Sequence, residues 1–260
     1  MIYTKKIKDA IRFSIKTHEV YQKQKRKGKD IPYITHPITV GLILSRAGAD
    51  EDVVVAGILH DTIEDSVEEK KPAMPERIEE RFGKKVLDLV MSITEKNKEL
   101  SWEERKKEAL KHIKTFSHES LLLKSADVIS NASETITDYE KNGEDIFLKF
   151  NAPKEKIIEN YLKVINTIIE RWQENPLNED LKYLAYGLRS IQKTGFIFNN
   201  PAKIIKYKDY DEKMLIECLI CGWKGTPKSS GTIEDYDDLF DVSCPNCGKM
   251  LIIVGYPLVK

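Results

Sequence analysis

Residues 53–65 read VVVAGILHDTIED. An apolar run ends in His60-Asp61, and Glu64 and Asp65 follow one helical turn later. On a helix, positions three and four apart share a face, so the spacing predicts that Asp61, Glu64 and Asp65 point the same way. Three carboxylates and a histidine beside a buried run are costly unless a cation sits among them. A divalent metal is the simplest such cation, and the remaining ligands must come from elsewhere in the chain.

The surrounding pattern is helical up to about residue 193. Tyr3, Ile7, Ala10, Ile11, Ser14, His18 and Tyr21 form one stripe at helical spacing, with His18 read as a hydrogen-bonded core residue rather than a ligand. The basic run KQKRKGK (residues 23–29) reads as a loop or the frayed end of the helix. Pro37 suits the first turn of a helix, which puts His36 at or just before its start, and that helix runs over 38–46. A new helix from Asp50 or Glu51 carries the opening stretch. Further helices are predicted for a segment ending near Phe82-Gly83, around Val86–Ile93, over 102–114 behind a Ser101/Glu104 capping box, over 118–140, from Pro153 to the Asn175-Pro176 stop, and over 180–192. From Lys203 the pattern changes to short β-prone runs, KIIKY, MLIECLI, DLFDV and MLIIVGY, separated by turn-rich GTPKSSG. The fold class is therefore mainly α: a helical domain over 1–193 and a small β domain over 203–260.

With 260 residues, 41% of them hydrophobic, the chain has enough apolar material for packed cores. Its formal net charge is +0, but ten Lys/Arg stand against three Asp/Glu in residues 1–31, and eleven Asp/Glu against three Lys/Arg in 50–80. These segments could line one cleft, acidic side to metal and basic side to an anion, or could be two solvated faces, which charge counts alone favour. No N-terminal signal pattern is present, and the longest apolar stretches fall far short of the roughly 20 residues that span a bilayer. These features predict a cytoplasmic protein without membrane partners.

His36, His60, Asp61 and Asp127 make a candidate metal site. Two imidazoles and two carboxylates suit Mn²⁺, Fe²⁺, Co²⁺ or Zn²⁺ better than Ca²⁺. A water bound there would be a nucleophile at neutral pH. Glu64 and Asp65 could orient or deprotonate that water or protonate a leaving group, and Asn131, one turn after Asp127, could orient a ligand by its amide. Each residue alone has a structural alternative; Asp127 could simply pair with a lysine. The whole set gives the chemical reading its weight.

That set, with QKRKGKDIPYITHP (24–37), AGILHDTIEDS (56–66), RFGKKVLDLV (81–90) and KSADVISNASE (124–134), resembles the HD-domain metal-dependent phosphohydrolases, in particular the RelA/SpoT-type branch that hydrolyses guanosine tetra- and pentaphosphate, (p)ppGpp, at the 3′-diphosphate. The resemblance covers most of residues 1–170. It implies Mn²⁺ held by His36, His60, Asp61 and Asp127, catalytic support from Glu64 and Asp65, and nucleotide contacts from Arg26, Lys27 and Asn131. The chain departs from the pattern at Val128-Ile129-Ser130, where the family often has Arg or Leu-His, and has one extra residue before Ile31. The resemblance does not extend to the synthetase and regulatory regions of the long bifunctional enzymes, which are not expected in a stretch of this length. These departures bear on substrate choice; alternatives are hydrolysis of another nucleotide or phosphoester, or a non-catalytic nucleotide-binding module.

The four cysteines form two CxxC pairs, Cys218/Cys221 and Cys244/Cys247, with 22 residues between them. This zinc-ribbon spacing predicts a closed, structural four-thiolate Zn²⁺ site, with iron or a redox disulfide as lesser alternatives. Residues 206–260 hold seven Lys/Arg and nine Asp/Glu, a poor footprint for nucleic acid, and a role of the ribbon in protein contacts or self-association is equally open. Trp102, Trp172 and Trp223 read as packing residues, and His112 and His118 as surface or capping residues.

Overall fold

A computed structural model of the protein describes residues 3–64, 73–95, 97, 99–194, 203–218, 221–230, 232–235, 239–246 and 250–256. The chain folds into two compact units, Met1–Gly195 and Phe196–Lys260. In the first, α1 (Lys5–Ile15) runs into a π-helical turn (Lys16–Tyr21), followed by α2 (Thr35–Arg46), α3 (Glu51–Leu59), α4 (Pro75–Phe82), α5 (Lys84–Ile93), α6 (Trp102–Ile113), α7 (His118–Asn142), a 3₁₀ segment (Gly143–Lys149), α8 (Lys154–Arg171) and α9 (Asn178–Thr194).

Helix α3 is the centre of this unit. Its residues Val53, Val54, Val55, Ala56, Gly57, Ile58 and Leu59 are all buried, and α1, α2, α5 and α7 pack around it. A helix that is apolar all round is buried all round. Two glycines set how closely α2 and α3 approach. A Cβ on Gly41 would lie 2.7 Å from Ile58 Cγ1, and one on Gly57 would lie 2.4 Å from Leu44 Cδ1. The long α7 supplies the other wall, with Leu121, Leu123, Ala126 and Ala132 fully buried.

Two local expectations are corrected. The helix carrying VVVAGILHDTIED stops at Leu59, and residues 60–64 form turns. His60 Nδ1 lies 2.8 Å from Gly57 O, while the backbone N–H and hydroxyl of Thr62 both donate to Leu59 O, at 2.9 and 2.6 Å. These bonds to residues three back occupy carbonyls at the helix end and close it. Asp61 and Glu64 are therefore placed by a turn, not a helical face; Asp65 lies outside the described residues. At the N-terminus, the helical stripe breaks into the π turn, where Gln22 N donates to Thr17 O at 2.9 Å, and Tyr3 is exposed rather than part of the core. His18 is buried in that turn, its Nδ1 2.5 Å from Gln24 Oε1.

The capping box of α6 is formed in both directions, Ser101 Oγ accepting from Glu104 N and Glu104 accepting from Ser101 N. Ser101→Ala is expected to cost about 1 kcal/mol, read as a lowered thermal midpoint; no shift would show that the box adds nothing to the folded state.

The second unit holds β1 (Lys203–Lys206), β2 (Ile216–Glu217), β3 (Lys224–Gly225), β4 (Thr232–Asp235), β5 (Leu239–Ser243) and β6 (Met250–Gly255). A four-stranded sheet has the order β1-β6-β5-β4, with β1 and β6 parallel and the other pairs antiparallel. Phe240, Val242, Ile252 and Val254 form its core. Strands β2 and β3 form a separate antiparallel pair around the first CxxC turn, where Cys218 N donates to Trp223 O and Gly222 N to Cys218 O, both at 2.7 Å. Gly222 has φ +76°, a left-handed conformation that favours glycine. Among the described residues, no helix is long and apolar enough to cross a membrane.

Candidate metal centre

Helices α2, α3 and α7 each deliver one buried group to the same point. His36 comes from the first turn of α2, His60 from the cap of α3, and Asp127 from the middle of α7. Ligand atoms of these three all lie within 4.8 Å of one another. Asp61 joins them from the turn after α3: its Oδ2 is 3.4 Å from His36 Nε2 and 3.0 Å from His60 Nε2. Asp127 Oδ1 is 3.3 Å from His36 Nε2 and 3.9 Å from His60 Nε2.

Both histidines present Nε2 inward because Nδ1 is occupied. The carbonyl of Gly57 can only accept, so His60 Nδ1 carries the proton. His36 Nδ1 is 2.9 Å from Ser130 Oγ; with Nδ1 as donor there too, both Nε2 lone pairs face the carboxylates. Ser130 stands where the sequence departs from the pattern of its resemblance, and here it orients His36. His60 Nε2 is buried and makes no hydrogen bond, although Asp61 Oδ2 is within ion-pair distance. An orphaned inward nitrogen facing two carboxylates fits a divalent cation, and the mixed N/O donor set fits a transition metal.

The electrostatics show how strongly the two carboxylates draw positive charge, a proton where no metal is bound, to His60 Nε2. Burial disfavours the His60 imidazolium, yet Asp61 and Asp127 outweigh it and push its pKa up to about 9. Burial alone would raise both aspartates, but His60 and His36 hold Asp61, and Lys124 with His36 and His60 hold Asp127, well below the usual carboxylate range. Glu64 moves the other way: burial and the nearby Asp61 charge raise its pKa against an opposing 2.8 Å hydrogen bond from Glu95 N.

The carboxylate oxygens are also held by neighbours outside the cluster. Tyr33 Oη donates to Asp61 Oδ2 at 2.7 Å. Lys124 Nζ donates to Asp127 Oδ2 at 2.8 Å, so the lysine pairing considered as an alternative for Asp127 is real but uses the oxygen turned away from the histidines. Asn131 Nδ2 donates to Asp127 Oδ1 at 2.7 Å.

Asp127 and Asn131 also line a cavity of about 230 Å³ whose walls include Trp102, Phe150, Tyr161 and Val164. Trp102, expected to be a packing residue, is a wall of this cavity. Lys27 Nζ sits 5.5 Å above the Phe150 ring. Arg26 is engaged elsewhere: Nε donates to Glu134 at 2.8 Å, Nη2 bonds Glu134 and Asn131, and the guanidinium lies over Tyr33. The basic loop is docked on α7 by these bonds and by Lys29, which pairs with Glu134 at 2.7 Å and Asp138 at 2.5 Å, while Lys149 pairs with Asp138 at 2.8 Å. A second cavity of about 240 Å³, lined by Glu95, Arg105, His112 and Phe116 among others, shares Lys124 with the first but contains none of the four candidate ligands. His118 stacks on Trp172 at 4.4 Å between ring centroids.

In the second unit, Cys218, Cys221 and Cys244 have their sulfur atoms within 4.8 Å of one another, with 3.4 Å between Cys221 Sγ and Cys244 Sγ. Cys247 lies outside the described residues.

The family model of the HD domain matches residues 10–157, and residues 158–260 lie outside that match. Guanosine-3′,5′-bis(diphosphate) 3′-pyrophosphohydrolase MESH1 from Danio rerio is 36% identical over 116 residues, 44% of this chain and 61% of the relative. The protein of the same name from Xenopus tropicalis is 35% identical over 127 residues, 48% of this chain and 66% of the relative. The chain thus spans less than two thirds of each of these relatives' length. A solved structure described as a metazoan ortholog of SpoT that hydrolyses ppGpp superposes with a TM-score of 0.57 at 26% identity, covering 71% of this chain and 96% of the other.

Proposed function

This chain belongs to the HD-domain family, and from that premise we propose that it is a divalent-metal-dependent phosphohydrolase that cleaves guanosine 3′,5′-bis(diphosphate) at the 3′-diphosphate. The observation that carries the reading is the position of Asp127, which is at once part of the His36–His60–Asp127 cluster and a wall of the aromatic cavity. A metal held there would meet whatever the cavity holds. The choice of nucleotide rests on the names of the MESH1 relatives.

In this reading His36, His60, Asp61 and Asp127 hold the ion, which we assign as Mn²⁺. When bound, it supplies positive charge to the phosphoryl oxygens and activates water as a nucleophile at neutral pH. The chain's own residues do the rest. Trp102, Phe150 and Tyr161 offer faces for a purine, with Asn131 at the same wall and Lys27 above Phe150. Arg26 backs Asn131. Lys124 and Lys106, both on the cavity wall, bring positive charge to the phosphates. Glu64, half-buried and fixed by Glu95 N, is the proton-handling group we assign, with Asp65 next to it in the sequence motif. Water adds across the bond between phosphorus and the 3′-oxygen; its oxygen goes to phosphorus, one proton goes to the 3′-oxygen, and pyrophosphate and guanosine 5′-diphosphate leave.

The test is turnover by the full chain with Mn²⁺ over a nucleotide panel that includes guanosine 3′,5′-bis(diphosphate). Expected is pyrophosphate released in equal amount to guanosine 5′-diphosphate, and lost on chelation. Faster turnover of a different phosphoester would overturn the substrate, and nucleotide binding without any turnover would make the domain a binding module.

For the second unit, Cys218, Cys221, Cys244 and Cys247 are proposed to hold Zn²⁺ as a structural ribbon, supported by the three clustered thiols. Metal supplies much of the folding free energy of so small a core. Cys221→Ser is expected to remove one zinc equivalent and unfold this unit; full zinc content in that variant would sink the assignment. Reduced, metal-bound thiols suit the cytoplasm, where we place the protein.

A further inference from the structure

The metal cluster is connected to a carboxylate outside it. Arg26 Nε donates to Glu134 Oε2 at 2.8 Å, and Nη2 bonds the same carboxylate. Nη2 also donates to Asn131 Oδ1 at 2.9 Å, and Asn131 Nδ2 donates to Asp127 Oδ1 at 2.7 Å. That oxygen, rather than its partner on the same carboxylate, is the one 3.3 Å from His36 Nε2.

The chemistry of each link permits one direction only. A guanidinium can only donate, so it selects the oxygen of the Asn131 amide; an ionised carboxylate can only accept, so it selects the nitrogen. Flipping the amide would set nitrogen against Arg26 and oxygen against Asp127. The order along the line is therefore set from its far end, by whatever holds the guanidinium in place. Glu134 does that with one carboxylate oxygen, on a side chain 27% exposed facing an Arg26 side chain 12% exposed.

We propose that Glu134 is a positioning residue of the metal centre: by fixing Arg26 it fixes the Asn131 amide, and through that amide it turns Asp127 Oδ1 toward His36 and His60. The inference rests on the reading of the cluster as a metal site. Glu134 touches neither metal nor substrate. Removing it would free a guanidinium whose charge already feels Asp61, and a cation swung toward the cluster competes with the metal for its carboxylates. Outer partners of metal ligands typically carry about 10–100-fold in metal affinity.

The test is titration of zinc-replete full-length protein with Mn²⁺, free ion being read by electron paramagnetic resonance. Glu134→Ala is expected to weaken Mn²⁺ by about tenfold or more. Glu134→Gln, which keeps an acceptor for Arg26, recovers most of the loss. Arg26→Lys keeps the charge but loses the planar fork whose Nε and Nη2 span Glu134 and Asn131, and is expected to weaken Mn²⁺ as Glu134→Ala does; it carries the comparison if the alanine variant does not fold. Lys149→Met removes a charge partner of Asp138, one turn beyond Glu134 on α7, without touching the line, and is expected to lower the thermal midpoint while Mn²⁺ affinity holds. Adding Glu134→Ala to Asn131→Ala should weaken Mn²⁺ no further than Asn131→Ala alone. Wild-type affinity in folded Glu134→Ala, additive losses in the double variant, or an equal loss in Lys149→Met would each overturn the assignment. A wild-type chain that takes up no Mn²⁺ would instead remove the metal-centre reading on which it rests.

Discussion

Asp127→Asn is expected to reduce phosphohydrolysis on the order of 10³-fold, because several kcal/mol of charge stabilisation by the metal are at stake and about 1.4 kcal/mol is one decade in rate. The substitution keeps the shape of the side chain in a buried position of α7. It removes the charge that balances His36, His60 and Lys124, and it places an amide where one oxygen must face two imidazoles and the other must accept from Lys124. One of those contacts is lost whichever way the amide turns. Folding should survive at a cost of about 1–3 kcal/mol, the range for leaving a buried polar partner unmatched. The measurement is kcat/KM together with thermal unfolding. Retained turnover in a variant that has lost Mn²⁺ binding would show that the cluster is not where the reaction happens.

The second large effect is expected from a residue with no side chain. Gly57→Val introduces a Cβ 2.4 Å from Leu44 Cδ1 and 3.2 Å from Val40 Cγ1, two side chains with no exposed surface. Leu44 and Val40 belong to α2, so the added bulk drives α2 from α3. Overpacking of this kind costs about 1–3 kcal/mol, and roughly 2–4 °C of thermal midpoint accompanies each kcal/mol in a domain of this size. The same displacement separates His36, in the first turn of α2, from His60 at the end of α3, whose rings are 5.0 Å apart between centroids. Calorimetry and Mn²⁺ titration of the one variant should therefore fall together. A lowered midpoint with unchanged Mn²⁺ affinity would mean that the α2–α3 spacing does not govern the site.

What was legible in the sequence was whatever its chemistry declares locally. His36 announces itself by the proline that follows it at a helix start, His60-Asp61 by charge at the end of an apolar run, and the thiols by their spacing. His36, His60 and Asp127 do come together in space. The groups that orient them were not legible, because their roles exist only across helices. Ser130 and His36 are 94 residues apart, and Arg26 and Glu134 are 108 apart. Lys124 and Glu134 sat at the ends of a quoted motif without a partner to give them meaning. The end of α3 was missed because neither glycine nor proline marks it; His60 and Thr62 close it by taking nearby carbonyls. Strand β4, TIED, was missed because an edge strand carries acidic residues rather than an apolar alternation. Trp102 read as core because an aromatic lining a cavity and one filling a core carry the same sequence signal.

The proposed reaction depends on one ion at one place. Diffraction data from crystals of the full chain grown with Mn²⁺, collected at the manganese absorption edge, would locate it. The prediction is an anomalous peak bonded to His36, His60, Asp61 and Asp127, between α2, α3 and α7. Manganese bound at another site, with no peak among these four side chains, would contradict it.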